Sequence, residues 1–182
     1  MRIIAGHWRG RKLIAPAGDT TRPTADRTRE TLFSMLVSRV GAFEGLRVAD
    51  LFAGSGALGL EALSRGAAAC IFVEQDAAAI RAVRTNIANF QAAALCDVRA
   101  ASVLTLGVAK EPLDLILLDP PYLTGAGAVA LDKLQRLGWI GPATWISLET
   151  AYNEVPAIKG LEAVAERKVG KARLTLLRAL PA

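Results

Sequence analysis

The chain reads as an α/β domain on a parallel, doubly wound sheet, and three features of the sequence point there. Short apolar stretches alternate with segments of helical spacing from residue 46 onward. The first five strand candidates are separated by helices or by lengths that permit crossovers, as parallel neighbours require. The first strand candidate runs into a glycine-rich turn that opens a helix, which is where open α/β sheets bind ligands. With 182 residues and 52% hydrophobic content, the chain can fill one core, and wholesale disorder is excluded.

In chain order, residues 1–16 are expected to form a short β element, with 2–5 and 12–15 strand-like and Gly6 and Gly10 between them. Residues 17–25, with Gly18, Pro23 and Thr24, read as a loop. A helix is predicted over 26–40, because Leu32, Phe33, Leu36, Val37 and Val40 recur on one face, and Gly41 and Gly45 end it. Strand candidates follow at 46–51, 69–74, 94–98, 113–119, 144–149, 161–167 and 173–179. Helix candidates lie at 58–65, 77–89 and 126–137, with a short one at 102–106. The last two strands adjoin through Lys168-Val169-Gly170-Lys171 and should form an antiparallel hairpin at the end of the sheet. Two parts are expected: a basic N-terminal extension over 1–45, packed on a main domain over 46–182.

No apolar run reaches the roughly 18 residues that a membrane span needs. The start, Met1-Arg2-Ile3-Ile4-Ala5-Gly6-His7-Trp8-Arg9, has charge and glycine where a signal peptide has its apolar stretch, so a cytoplasmic protein is expected. Cys70 and Cys96 are too few for a disulfide framework or a cysteine-based zinc site, and the lone His7 argues against a His-ligated metal. No apolar surplus beyond the needs of a core is evident, and a monomer is expected.

Charge is uneven. The formal net charge is +5, and residues 1–30 hold seven bases (Arg2, Arg9, Arg11, Lys12, Arg22, Arg27, Arg29) against three acids (Asp19, Asp26, Glu30), a net of +4. Such a patch suits a polyanion, most often nucleic acid, although a solvated face gives the same pattern. Trp8 among these bases suits either stacking on a nucleic-acid base or anchoring the arm onto the domain.

The first strong motif is Asp50-Leu51-Phe52-Ala53-Gly54-Ser55-Gly56-Ala57-Leu58-Gly59 at the end of a strand. Gly54, Gly56 and Gly59 have the dinucleotide spacing, and Glu74, ending the second strand, is placed to hold ribose hydroxyls. A dinucleotide site therefore competes. Asp50 speaks against it, since a carboxylate at the strand tip would sit near a doubly charged pyrophosphate. It suits a cationic group such as the amino group of S-adenosylmethionine, a ligand with a ribose and no phosphate. The candidate cofactor residues are Asp50, Phe52, Ala53, Gly54, Ser55, Gly56, Glu74 and Gln75.

The second motif is an apolar strand running into Asp119-Pro120-Pro121-Tyr122. Two prolines fix the backbone and remove two N–H donors, which leaves carbonyls as acceptors at the strand tip. An acid and a carbonyl together can receive both hydrogens of an amine, and Tyr122 can stack on a flat ring. The arrangement calls for a planar substrate bearing an exocyclic NH2.

The two motifs, in this order and about 65 residues apart, resemble those of class I S-adenosylmethionine-dependent methyltransferases of the amino-methylating group. Arg2-Ile3-Ile4-Ala5-Gly6-His7-Trp8-Arg9-Gly10-Arg11-Lys12-Leu13 and Arg22-Pro23-Thr24-Ala25-Asp26-Arg27-Thr28-Arg29-Glu30-Thr31-Leu32-Phe33 resemble the N-terminal signature of the RsmD family, the bacterial small-subunit rRNA guanine-N2 methyltransferases. The resemblance implies a Rossmann-like, seven-stranded, mostly parallel sheet with helices on both faces and the last strand inserted antiparallel. It implies methyl transfer to the exocyclic N2 of a guanine in 16S rRNA, within the assembled or nearly assembled small subunit. Asp50, Gly54 and Gly56 would line the methionine part of the cofactor, Glu74 would take the ribose, and Asp119, Pro120, Pro121 and Tyr122 would hold and process the base. The basic arm, through Arg2, Trp8, Arg9, Arg11, Lys12, Arg22, Arg27 and Arg29, would grip RNA. The family places an adenine-contacting acid where this chain has Ala100, leaving that contact to Asp97 or to backbone groups. Adenine-N6 and glutamine-N5 methylases carry Asn ahead of Pro-Pro-Tyr, and a non-catalytic assembly factor would need neither motif.

Overall fold

The computed structural model describes residues 1–18 and 23–181. Its strands β1 (Arg47–Leu51), β2 (Ala69–Glu74), β3 (Cys96–Ala100), β4 (Leu115–Leu118), β5 (Trp145–Ala151), β6 (Leu161–Val169) and β7 (Ala172–Ala179) form one seven-stranded sheet in the order β3-β2-β1-β4-β5-β7-β6. The first five are parallel, and β7 pairs antiparallel with both β5 and β6. The helices are α1 (Pro23–Val40), α2 (Ala57–Ser64), α3 (Ala77–Asn89) and α4 (Ala126–Arg136).

The winding direction follows from this order. The chain moves outward from β1 to β2 and β3, then returns to place β4 on the other side of β1. The carboxyl ends of β1 and β4 therefore lie side by side at the switch point, where a crevice opens. Their register pairs Leu51 with Leu118, so Asp50 and Asp119 come to the same edge.

Burial explains why β4 sits centrally. All four of its residues are buried, as a strand covered on both faces requires. They alternate between two cores: Leu115 and Leu117 join Phe33, Leu36, Leu60 and Val83 on one face, and Ile116 and Leu118 join Leu131, Leu134 and Trp139 on the other. Helices α1 to α3 thus cover one face and α4 the other. At the far edge β6 is mostly exposed, carries Glu166, Arg167 and Lys168, and is bulged between Ala163 and Ala165, features that discourage pairing with another chain.

Several boundaries differ from expectation. Helix α1 begins at Pro23, inside the segment read as a loop, because proline at a first helical position has no N–H to lose. The third strand starts at Cys96; residues Ala93–Leu95 form a 3-10 turn closed by the Leu95 amide on the Ala92 carbonyl. The short helix expected at 102–106 is a 3-10 turn over Val103–Thr105, capped by the Ser102 hydroxyl.

The N-terminal β element reduces to one antiparallel bridge, Arg2 with Lys12. The amides of Ile3, Gly10 and Leu13 bond to carbonyls within the arm (Arg11, Ile3 and Met1), and other backbone groups of the arm bond to helices. Glu61 of α2 accepts from the amides of Ile4 (2.9 Å) and Ala5 (3.0 Å), and the Asn86 side chain of α3 bonds both the amide and the carbonyl of Ile14. Glu61 is fully buried, and its charge is balanced by Arg29 at 3.5 Å and Arg65 at 3.1 Å. Ile3 and Leu13 enter the same core as Phe33 and Leu36 of α1, Val48 of β1 and Leu115 of β4.

Candidate active site

A cavity of about 650 Å3 opens at the switch point, walled by the ends of β1, β4 and β5, by the arm and α1, and by the β6–β7 turn. Its wall at β1 is the glycine loop. Each glycine there meets a different demand. A Cβ on Gly59 would lie 2.4 Å from the Phe72 ring and 2.7 Å from the Cys70 sulfur, so this glycine lets α2 pack on β2. A Cβ on Gly56 would lie 2.5 Å from the Val83 side chain, and this glycine precedes the helix with φ +81°. A Cβ on Gly54 would meet nothing within 4 Å, so this position faces open space where a ligand can approach. Phe52 holds a strained φ of +60° between strand and loop, the type of outlier that clusters at functional sites.

Asp50 is 1% exposed and lines the cavity. Its Oδ2 accepts the Gly59 amide at 2.9 Å, and its Oδ1 is buried with no hydrogen-bond partner among the described residues. Burial pushes this carboxyl well above the ordinary range; the Gly59 bond works against that, and the charges of Asp119 and Glu74 add to it. An orphaned buried acid is relieved by a cation, not by a pyrophosphate. Two amides at the start of α2 are also occupied, Gly56 by the Ala53 carbonyl and Gly59 by Asp50. The dinucleotide alternative loses its phosphate site on these grounds.

Glu74 bends back over the loop. It accepts from Gly54 N at 3.0 Å, Gln75 N at 2.8 Å and Asp76 N at 3.3 Å. Ala53 and Ser55 are buried within the loop, and Gln75 is exposed. Ala100 lies level with Glu74 on the neighbouring strand. Asp97 sits three positions down, opposite Ile71, in an ion pair with Arg99 at 3.1 Å, and so does not reach the strand tips.

Across the crevice, Asp119 is exposed at the end of β4, Pro120 is buried, and Pro121 and Tyr122 are exposed. The Pro121 carbonyl accepts the Thr124 hydroxyl at 2.8 Å, which makes Pro120's the candidate acceptor beside Asp119. Leu123 follows with φ +61° and its amide on Glu154. Glu149, within β5, lines the cavity with Asp119 and Tyr122, and the strand register sets it beside Asp119. Burial and the neighbouring Asp119 raise its carboxyl far above the usual range, and burial with Glu149 and Asp119 nearby raises the Tyr122 hydroxyl. Sequence reasoning missed Glu149 and Lys171, which lines the cavity from the β6–β7 turn. A signal for Glu149 existed: an acid closes an apolar strand there, as Glu74 and Asp119 do.

The basic arm divides on inspection. Arg9, Lys12 and Arg27 are exposed. Arg2 and Arg11 are exposed but bonded to the carbonyls of Gly10 (2.7 Å) and Asn89 (2.6 Å). Trp8 is half-buried with its ring centroid 5.1 Å from that of Phe90, which favours the anchoring role. Arg29 must be corrected: it is 4% exposed and bonds Asp26, the Arg2 carbonyl and Glu61, so it cannot reach a phosphate. Arg22 lies outside the described residues. Among the described residues no group of three His, Cys, Asp or Glu could hold a metal ion, and no helix is long and apolar enough to cross a membrane.

The family model described as Conserved hypothetical protein 95 matches residues 1–178. Ribosomal RNA small subunit methyltransferase D of Escherichia coli strain K12 is 36% identical over 170 residues, covering 93% of this chain and 84% of that protein. The protein of the same name from Haemophilus influenzae is 37% identical over 158 residues, covering 82% and 78%. The solved structure of yhhF from Escherichia coli matches with a TM-score of 0.85 at 35% identity, covering 98% of this chain and 97% of that one.

Proposed function

The chain belongs to the RsmD family, and on that premise we propose that it transfers a methyl group from S-adenosylmethionine to the exocyclic N2 of one guanine in 16S rRNA of the small ribosomal subunit. At the family level it is an rRNA methyltransferase with a class I, Rossmann-like sheet. One observation carries the finer reading. The orphaned carboxyl of Asp50 and, at the tip of β4, Asp119 and Tyr122 line one cavity, side by side at the switch point.

The residues present suit the cofactor. Asp50 would hold its ammonium group, the open face of Gly54 would take the methionine backbone, and Glu74 would exchange its backbone partners for ribose hydroxyls. With Asp97 remote, backbone groups near Ala100 would meet the adenine. When bound, the cofactor supplies an electrophilic methyl on a sulfonium and departs as a neutral thioether.

The protein's share is placement and proton handling. The lone pair of guanine N2 is delocalised into the ring and makes a poor nucleophile. Asp119 and the Pro120 carbonyl accept its two N–H bonds and turn the remaining density toward the methyl, with Tyr122 stacked on the ring. Positive charge gathers on N2 as the N–C bond forms, and Asp119 stabilises it and then takes the proton that N2 sheds. Arg9, Lys12 and Arg27, with Lys171 at the rim, would contact phosphates around a base presented or flipped out of its stack. The protein acts as a monomer in this reading.

The test is methyl transfer from labelled S-adenosylmethionine to small subunits from cells lacking the protein, followed by nuclease digestion. Label is expected in N2-methylguanosine, and Asp119→Ala is expected to lower turnover about 10²–10⁴-fold with cofactor affinity retained. Label in another nucleoside, or full turnover by the variant, overturns the assignment.

A further inference from the structure

The tips of β4 and β5 bring two carboxyls together. Leu118 pairs with Leu148 in a parallel register, so the next residues, Asp119 and Glu149, are neighbours across strands about 4.8 Å apart. Both line the cavity. Tyr122, three residues beyond Asp119, lines the same wall of the cavity. Two carboxylates held side by side repel each other, and they can hydrogen-bond only when one of them carries a proton.

We propose that Glu149 is a positioning residue for capture of the substrate amine: it holds a shared proton against Asp119, so that the pair presents one negative charge, on Asp119, to the N–H bonds of the base. This rests on the functional reading above and extends it to a residue that does not itself touch the reacting atoms.

The surroundings favour this arrangement. Burial is the leading cause that keeps Glu149 protonated, and the charge of Asp119 adds to it. The groups on the packed elements are Asp119 and Tyr122 from β4 and its loop, Glu154 after β5, Lys171 in the β6–β7 turn, Arg173 on β7 and Asp50 on β1. Glu154 is occupied by the amides of Leu123 and Ala151. Arg173, one register position beyond the partner of Glu149, is tied to Glu166 at 2.7 Å and to the Tyr152 carbonyl at 3.2 Å. No ion pair among the described residues offers Glu149 a cation that would favour its ionised form. With a second full charge beside it, Asp119 would be repelled from the geometry that receives the amine.

The decisive experiment has two arms on the full chain. In the first, 13C-carboxyl NMR follows the glutamates of the unliganded protein. One carboxyl should titrate above neutral pH, vanish in Glu149→Gln and move down in Asp119→Asn, where its charged partner is gone. A Glu149 that titrates in the ordinary range near pH 4 overturns the proposal. In the second, turnover is measured on small subunits. Glu149→Ala should lower kcat about 10²-fold with KM within about threefold, and Glu149→Gln, which keeps a neutral donor, should recover at least about tenfold of that loss. Equal losses in both variants, with normal wild-type transfer to guanine N2, overturn this proposal alone. Wild-type protein that places no label on guanine N2 overturns the functional reading and this one together.

Discussion

Around β1, the cavity is built from one stretch of chain, residues 50–58. Around β4, it draws on Asp119 and Tyr122, Glu149 of β5, Lys171 in a hairpin turn and the arm with α1. The first wall is closed and packed: Asp50 is 1% exposed, and Gly56 and Gly59 have no room for a methyl group. The second is open: Asp119 is exposed, Tyr122 is 41% exposed and Leu123 71%. A contiguous, packed wall can be preformed for a small ligand whose shape never varies. A composite, open wall suits a base that arrives attached to a large polyanion and must be enclosed from several sides.

The sharpest break of this contrast is Glu61→Ala. Glu61 holds the arm that roofs the composite wall, through two backbone amides, Arg29 and Arg65. Its removal leaves Arg29 buried without that partner and should cost about 3–5 kcal/mol, read by denaturant unfolding. A loss below about 1 kcal/mol would mean that the arm docks without it.

Next in size, two glycine substitutions should separate packing from binding within the β1 wall. Gly59→Ala should lower stability by about 1–3 kcal/mol, since its Cβ meets Phe72 and Cys70. Gly54→Ala strains a positive φ by about 1 kcal/mol but meets no neighbour, so its main loss should be cofactor affinity by calorimetry. Equal affinity losses in both would erase the distinction.

The smallest effect concerns protons. The folded carboxyl of Asp50 is raised by burial, so its contribution to stability is complete below the unfolded value near about 3.9 and is lost as pH rises toward the folded one. The unliganded protein should therefore lose stability more steeply than Asp50→Asn as pH rises through the window between the ordinary carboxyl value and the raised one. An ammonium group reverses the preference. Binding of S-adenosylhomocysteine should release up to about one proton per site, measured by calorimetry in buffers of different ionisation enthalpy, and tighten with pH across that window. Binding without proton release would place the ammonium elsewhere.

What could be read before any coordinates follows the same division. The glycine loop and the acid-Pro-Pro-aromatic tip were legible because each is contiguous and lies where a strand must end. Glu149 was not, because its meaning depends on the register that sets it beside Asp119. Nor could composition tell which of the clustered arginines faces solvent. Arg9 does, whereas Arg29 is drawn inward by Glu61, a partner 32 residues away in sequence.

The sequence alone settled the alternation of strands and helices, the carboxylates at strand tips and the family signature, because these depend on residues near one another along the chain. The tertiary structure decided which carboxyl stays orphaned, which two meet across neighbouring strands and which bases remain at the surface. Those outcomes depend on burial and on distances of a few ångströms between side chains from different strands, which local patterning does not specify.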